Sequence, residues 1–234
     1  MFARRHDISR LEAFSDAVFA FALTLLVVSL EVPKSYDQLM NLMRGFPAFA
    51  CCFAVLVGIW AEHNLFFRRY GLQDGYTVFL NSVLLFVVMF YVYPLKFMFD
   101  SGFAHFLAWT GQGVHPMTLP QLSRASAIYG LGFIAVFVMF GLLYLHAYRK
   151  RHELGLSPLD VFKIKSFAGH HMVSAGVGLF VVLFALAAPR NYALFAPMAF
   201  FFMWPAHAIY GSRREKKRKA FEAHLPPEPA TAPE

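Results

Sequence analysis

Charge and cysteine are what this sequence has least of. Only 15% of its 234 residues are Asp, Glu, Lys or Arg, and two are Cys. Soluble domains carry about 25% charge, so the shortage excludes an ordinary water-soluble make-up. Cys51 and Cys52 are adjacent in an apolar run, where helical neighbours are poorly placed for a disulfide and no third cysteine offers a partner. Both read as buried small side chains. Also missing are His-Glu-x-x-His, Gly-x-Ser-x-Gly and a Walker loop, which removes the commonest signatures of hydrolases and nucleotide enzymes. The histidines are scattered, and His170 and His171 point about 100° apart on a helix, poor geometry for one metal. No enzyme, metal or cofactor is expected. The amino terminus does not read as a signal peptide, because Glu12 and Asp16 interrupt the approach to the first apolar run.

What is present is apolar mass: 58% hydrophobic residues, 28 of them Phe. A hydrocarbon core of roughly 30 Å needs about 20 apolar residues per helix, and six such spans can be placed, at 14–32, 46–67, 77–99, 126–148, 166–188 and 192–211. The sequence predicts an all-α integral membrane protein with a six-helix transmembrane domain over 1–211 and a basic tail over 212–234. The net charge of +7 would suit a polyanion, but its placement argues otherwise. With six spans, the Lys and Arg residues at 4, 5, 10, 68, 69, 149, 150, 151, 163, 165, 213, 214, 216, 217, 218 and 219 fall on one side, and 34, 44, 96, 124 and 190 on the other, a split of 16 to 5. The positive-inside rule makes the first side cytoplasmic, with both termini on it. No nucleic-acid partner is expected; membrane lipid is.

The stretch Arg10 to Leu30 organises the rest. Arg10, Glu12, Ser15 and Asp16 form a polar knot, and Ala17 to Leu30 is apolar apart from Thr24 and Ser29. An aspartate near the bilayer centre costs about 2.5–3.5 kcal/mol on the lenient insertion scale, so one at the start of a span needs a polar neighbour. On helix 2, Trp60, His63, Asn64 and Phe67 share one face at i, i+3, i+4 and i+7, and helix 3 carries Asn81 at similar depth. His63, Asn64 and Asn81 are the expected partners of Asp16. Helix 1 is expected to end near Val32, ahead of Pro33. Helix 5 is rich in small residues, from Ala168 to Gly178, which lets helices approach closely in lipid. The tail Ser212 to Lys219 is most simply a topology anchor, with attraction to anionic lipid second, and Pro226 to Glu234 reads as disordered. The second half contains no second Phe-Ser-Asp.

Phe14, Phe21, Thr24, Leu25 and Val28 fall on one broad face of helix 1, and Thr24 is the one polar group at its centre. The simpler reading of Thr24 is a bond to its own backbone four residues back. Phe21 lies about 140° from Asp16 around the helix, so the aspartate can serve its own subunit while the Phe21–Val28 face is presented elsewhere.

Arg10-Leu-Glu-Ala-Phe14-Ser15-Asp16 matches the RxxxFSD signature of the transmembrane protein 175 family of potassium channels. The apolar run to Thr24, the Trp60-x-x-His63-Asn64 group and Asn81 are also similar to that family. The resemblance implies a six-helix subunit without the Thr-Val-Gly-Tyr-Gly filter of other potassium channels. It implies a homotetramer for a single-copy chain of the prokaryotic kind, in the cell membrane, with helix 1 of each subunit lining the pore. By the same resemblance Phe21 holds the narrowest constriction, Leu25 and Val28 extend the apolar lining, and Thr24 contributes to selectivity for potassium ions. The group Arg10, Phe14, Ser15 and Asp16 pins the inner end of helix 1, with His63 and Asn81 as partners. The family usually has Ile or Leu where this chain has Phe21. Four rings there can plug the pore, or swing aside and offer π faces to a cation. A ring of apolar side chains gates by dewetting, and Glu31 just outside can concentrate cations or simply be solvated. Two rivals stay open: a carrier using Asp16, His63 and Asn81, and a non-conducting scaffold.

Overall fold

In a computed structural model, residues 8–107, 117–189, 192 and 195–223 are described. The chain runs through α1 (Arg10–Val28), α2 (Tyr36–Tyr70), α3 (Gly75–Leu107), α4 (Leu119–Arg149) and α5 (Pro158–Ala187), then a 3₁₀ segment (Pro197–Phe202) that leads directly into α6 (Met203–Ala223). Every regular element among the described residues is helical. Five helices are long and apolar enough to cross a membrane: α1, α2, the Gly75–Phe103 part of α3, α4 and α5. The middle of the 100–125 connection and the end Pro226–Glu234 lie outside the described residues.

Caps set several boundaries that apolar runs alone do not reveal. Ser9 and Glu12 form a reciprocal capping box, Glu12 N–H to Ser9 Oγ at 3.1 Å and Ser9 N–H to Glu12 Oε2 at 2.8 Å, so Glu12 is consumed in starting α1. The helix stops at Val28, four residues before the expected end. Ser29 takes the C-cap, and Lys96 of α3 donates to its carbonyl (3.2 Å) and its hydroxyl (3.0 Å). A cation on the last carbonyls complements the negative end of the helix dipole. α2 starts ten residues earlier than its apolar run, because Ser35 Oγ accepts from Gln38 N–H at 3.2 Å; Pro47 is carried inside the helix. Ser157 caps α5 and Pro158 opens it. The final span, expected over 192–211, is not one helix type throughout. It is 3₁₀ to Phe202 and α-helical to Ala223, the change falling where Pro205 has no N–H to give the Phe201 carbonyl. α6 thus carries the basic stretch Ser212 to Lys219 as continuous helix.

Lipid tails are as apolar as Leu, so close packing and polar pairs, not transfer from water, hold such helices together. α1 packs on α2 and α3, and α5 on α4 and α6. Phe19, Ala22 and Leu26 of α1 join Leu56 and Phe66 of α2, Leu84 and Val88 of α3, and Phe140 and Tyr144 of α4 in one buried core. Between α4 and α5 a methyl group added at Gly130 would collide with Val182, and one at Gly178 with Phe133 and Ile134; of the α5 glycines, Gly178 serves that approach. α6 lies antiparallel along α5, with contacts from Phe180–Phe202 through Ser174–His207 and Ser166–Tyr210 to Phe162–Phe221. Cys51 and Cys52 are free, half-buried and buried.

One end of the bundle is tied by charge. Arg69 of α2 bonds Asp160 of α5 at 3.1 Å. Asp74, between α2 and α3, accepts from the Thr77 hydroxyl (2.9 Å) and backbone, and from His146 of α4 at 3.0 Å. Burial pushes the Asp74 carboxyl up, but the His146 and Thr77 hydrogen bonds outweigh it and hold it at about 2, against an ordinary 3.8. A carboxyl lowered on folding stabilises above its ordinary pKa, and that contribution disappears as pH falls through the lowered one. Asp74→Asn should therefore destabilise the purified protein by about 1–2 kcal/mol at pH 7. In thermal melts the gap to wild type should close as pH drops from about 4 towards 2.

Candidate functional site

α1 buries one side and leaves the other open. Glu12, Ser15, Phe19, Ala22 and Leu26 are buried. Phe14, Phe21 and Val28 are 60%, 54% and 69% exposed, with Thr24 exposed between the last two. Leu25 sits on the shoulder of that stripe, half-buried. Glu31 is exposed beyond the helix end. Thr24 does donate to the Ala20 carbonyl, at 2.9 Å. Its proton is taken by the helix, so the oxygen lone pairs are left to the open side. The backbone bond therefore does not compete with a role as cation ligand.

The buried side carries a polar clasp. Ser15 Oγ donates to the Leu11 carbonyl at 2.8 Å and accepts from Asn81 Nδ2 at 2.9 Å. With its amide group fixed that way, Asn81 can only accept through Oδ1, and His63 Nε2 lies 2.8 Å from it. His63 must hold its proton on Nε2 and donate. The three side chains are almost wholly buried, at 0%, 0% and 1% exposure for Ser15, Asn81 and His63. Phe19 meets the His63 ring edge-on, with centroids 5.4 Å apart, and Phe67 covers it at 4.5 Å.

Asp16 is not part of that chain. It is half-buried, and its Oδ1 accepts from the Trp60 indole N–H at 2.8 Å. The expected pairing of Asp16 with His63, Asn64 or Asn81 is thus replaced by Trp60, one turn earlier on the same face of α2, while Ser15 takes Asn81. Trp60 sits at the right depth because α2 descends past α1 in the opposite direction. Asn64 is half-buried, Arg10 exposed, and neither makes a side-chain hydrogen bond among the described residues.

Two further polar groupings join side chains too far apart in sequence for any local motif to show. His170 and His207 bring their Nδ1 atoms to 3.1 Å, and His207 Nε2 reaches Ser174 Oγ at 2.9 Å. His171 faces the other way, stacked by Phe140 and Tyr144 with Glu62 Oε2 3.8 Å from its Nε2. Among the described residues no group of three or more His, Cys, Asp or Glu side chains is placed to hold a metal.

The model of the family described as "Endosomal/lysosomal potassium channel TMEM175" matches residues 10–91, the whole of α1 and α2 and half of α3. A protein from Marivirga tractuosa named "Potassium channel" is 36% identical over 225 residues, covering 90% of this chain and 89% of the relative. The chain belongs to the TMEM175 family. A potassium channel from Chamaesiphon minutus is 29% identical over 189 residues, covering 77% of this chain and 84% of its own length. Among solved structures, a crystallised variant of the potassium channel MtTMEM175 in complex with a Nanobody-MBP fusion protein superposes with a TM-score of 0.81 at 32% identity, over 92% of this chain and 97% of that one. A lysosomal potassium-selective channel TMEM175 homologue from Chamaesiphon minutus gives 0.56 at 25% identity, over 84% and 96%. The TMEM175 match is to the helices that build the clasp.

Removing Asn81 strands two buried partners at once. Asn81→Ala should cost about 1–3 kcal/mol, measured as a lower unfolding temperature of the purified protein. Asp16→Asn, which leaves the Trp60 indole an acceptor, should cost less than about 1 kcal/mol.

Proposed function

We propose that this chain is a potassium channel that conducts passively through a central pore, built by four copies with α1 of each copy facing the axis. The observation that carries it is the asymmetry of α1: a helix long enough to cross the membrane, clasped on one side, with Phe14, Phe21, Thr24 and Val28 aligned and uncovered on the other. Family membership and the names of the relatives support potassium as the conducted ion and speak against an enzyme.

Within that reading Phe21 forms the narrowest ring, flanked by Val28 and the shoulder residue Leu25, and opens or closes by wetting and dewetting. Thr24 offers four hydroxyl oxygens next to it, which replace part of the hydration shell of a passing ion. Arg10, Phe14, Ser15 and Asp16, with Trp60, His63, Asn64 and Asn81, hold the inner end of α1 in register rather than touching the ion. The 3₁₀ segment with the first half of α6 makes the sixth crossing, antiparallel to α5. Both termini and the basic tail then lie in the cytoplasm and the protein sits in the cell membrane, in line with the 16 to 5 split of Lys and Arg.

The carrier alternative needs Asp16, His63 and Asn81 to exchange ions or protons. His63 and Asn81 are buried and bonded to each other, and Asp16 to an indole, an arrangement suited to holding helices.

Potassium flux from liposomes loaded with a potassium gradient tests the proposal. Wild type should conduct, Phe21→Ala should conduct several-fold faster, and Thr24→Ala should lower the preference for potassium over sodium. Absence of flux in every variant, with tetramers intact, would favour the carrier or the scaffold. The TMEM175 assignment would then be a statement of ancestry and fold.

A further inference from the structure

The outer flank of α5 and α6 carries a groove with no polar lining. Two adjoining hollows of about 400 and 510 Å³ are bounded by Phe180 and Phe184 of α5, Phe202 at the end of the 3₁₀ segment, and Pro205 and Ile209 of α6. Gly176 forms part of the floor, and apart from its own stretch of helix backbone and its two chain neighbours nothing lies within 4 Å of where its Cβ would be. From Val173 to Phe184 the α5 wall spans about 16 Å at 1.5 Å per residue, close to half the roughly 30 Å hydrocarbon thickness. That is the reach of one lipid tail in one leaflet.

The same face of α6 changes character beyond the groove. Pro205, Ile209, Arg213 and Lys216 follow one another at i, i+4, i+8 and i+11, a single helical stripe. Arg213 and Lys216 are exposed and make no ion pair among the described residues. The acidic residues of this helix are on the other flank, where Glu215 and Glu222 are bonded to Arg218 at 2.7 Å. Arg214 is occupied inward, donating to Ser166 Oγ at 2.9 Å and lying over the Phe162 ring. The stripe is held in place by Tyr210, whose hydroxyl donates to the Ser166 carbonyl at 3.0 Å.

We infer that this stripe is a binding site for an anionic phospholipid, one acyl tail lying in the Phe180–Phe202–Ile209 groove and the phosphate on Arg213 and Lys216. An apolar trough one leaflet deep, ending in two unpaired cations, is complementary to that ligand and to little else. A second copy of this chain would bring like charge. The carboxy-terminal segment after Ala223 offers Leu225 as its single large apolar side chain. The site lies on the α5–α6 flank, whereas the proposed pore face is on α1, and neither the site nor its test depends on conduction.

The test is native mass spectrometry of the full-length protein in detergent, titrated with dioleoylphosphatidylglycerol or dioleoylphosphatidylcholine and read as the first lipid bound per subunit. Wild type should prefer the anionic lipid. Each of Arg213→Gln and Lys216→Gln should weaken that lipid about five-fold, from roughly 1 kcal/mol per basic residue, and weaken the zwitterionic lipid, whose choline offsets its phosphate, less. Gly176→Leu, which has room to fold and fills the trough, should weaken both lipids. Arg68→Gln, an exposed cation on α2 away from this flank, should behave as wild type, and free glycerophosphoglycerol should not displace bound lipid. Equal retention of the two lipids by wild type would overturn the site. So would an equal loss in Arg68→Gln, which would mean diffuse charge alone, or undiminished binding in Gly176→Leu.

Discussion

The hydrogen-bond chain Leu11–Ser15–Asn81–His63 is the constraint on which the rest depends. It joins α1, α2 and α3 at one depth with side chains that are fully buried. In an apolar medium a buried polar group without a partner costs several kcal/mol, so these residues admit one relative rotation and one register of the three helices. The rotation they select turns Phe19, Ala22 and Leu26 into the bundle. By the helical period, it must also turn Phe21, Thr24 and Val28 out of it. The inward bonds and the uncovered outward stripe are two consequences of a single choice.

Much of this was legible in the sequence. The polar knot at Arg10 to Asp16 and its partners at equal depth on helices 2 and 3 follow from one rule, that charge and amide groups in lipid must find each other. The all-α architecture and the five membrane-length helices follow from apolar length. What was misassigned is the pairing inside the knot. Spacing puts Trp60, His63 and Asn64 on one face of α2 but does not say which of Ser15 and Asp16, adjacent on α1 and 100° apart, looks at which. Side-chain length decides that: the long indole reaches the half-buried Asp16, and the short hydroxyl is left for Asn81 close by. The Ser9-x-x-Glu12 and Ser35-x-x-Gln38 patterns were readable signals for where α1 and α2 begin. The end of α1 was not readable, because Lys96, which caps it, is 67 residues away. The groupings of His170 with His207 and of His171 with Glu62 depend on how α2, α5 and α6 pack, which no local pattern reports.

The glycines of α4 and α5 and the basic residues of α6 show how one residue type acquires different tasks from its surroundings. Gly130 and Gly178 exist to let α4 and α5 touch, whereas Gly176, two residues away, faces open space. Arg214 and Arg218 are used within the fold, whereas Arg213 and Lys216 are not. Composition alone would have grouped each set together.

α1 is held at both ends and free along one face between them. The clasp fixes the amino-terminal end, and Lys96 fixes the carboxy-terminal end through Ser29. Sliding or rotating the helix to open the proposed pore would break buried hydrogen bonds worth about 1–3 kcal/mol each, four times over in a tetramer. Turning the Phe21 side chain between its two helix-compatible χ1 rotamers breaks none of them, and Ala17 and Ala20 beside it on the exposed face leave room for the ring to swing. In the proposed pore the aperture is then set by where the Phe21 ring lies as well as by where the helix stands, and the ring is the cheaper of the two to move.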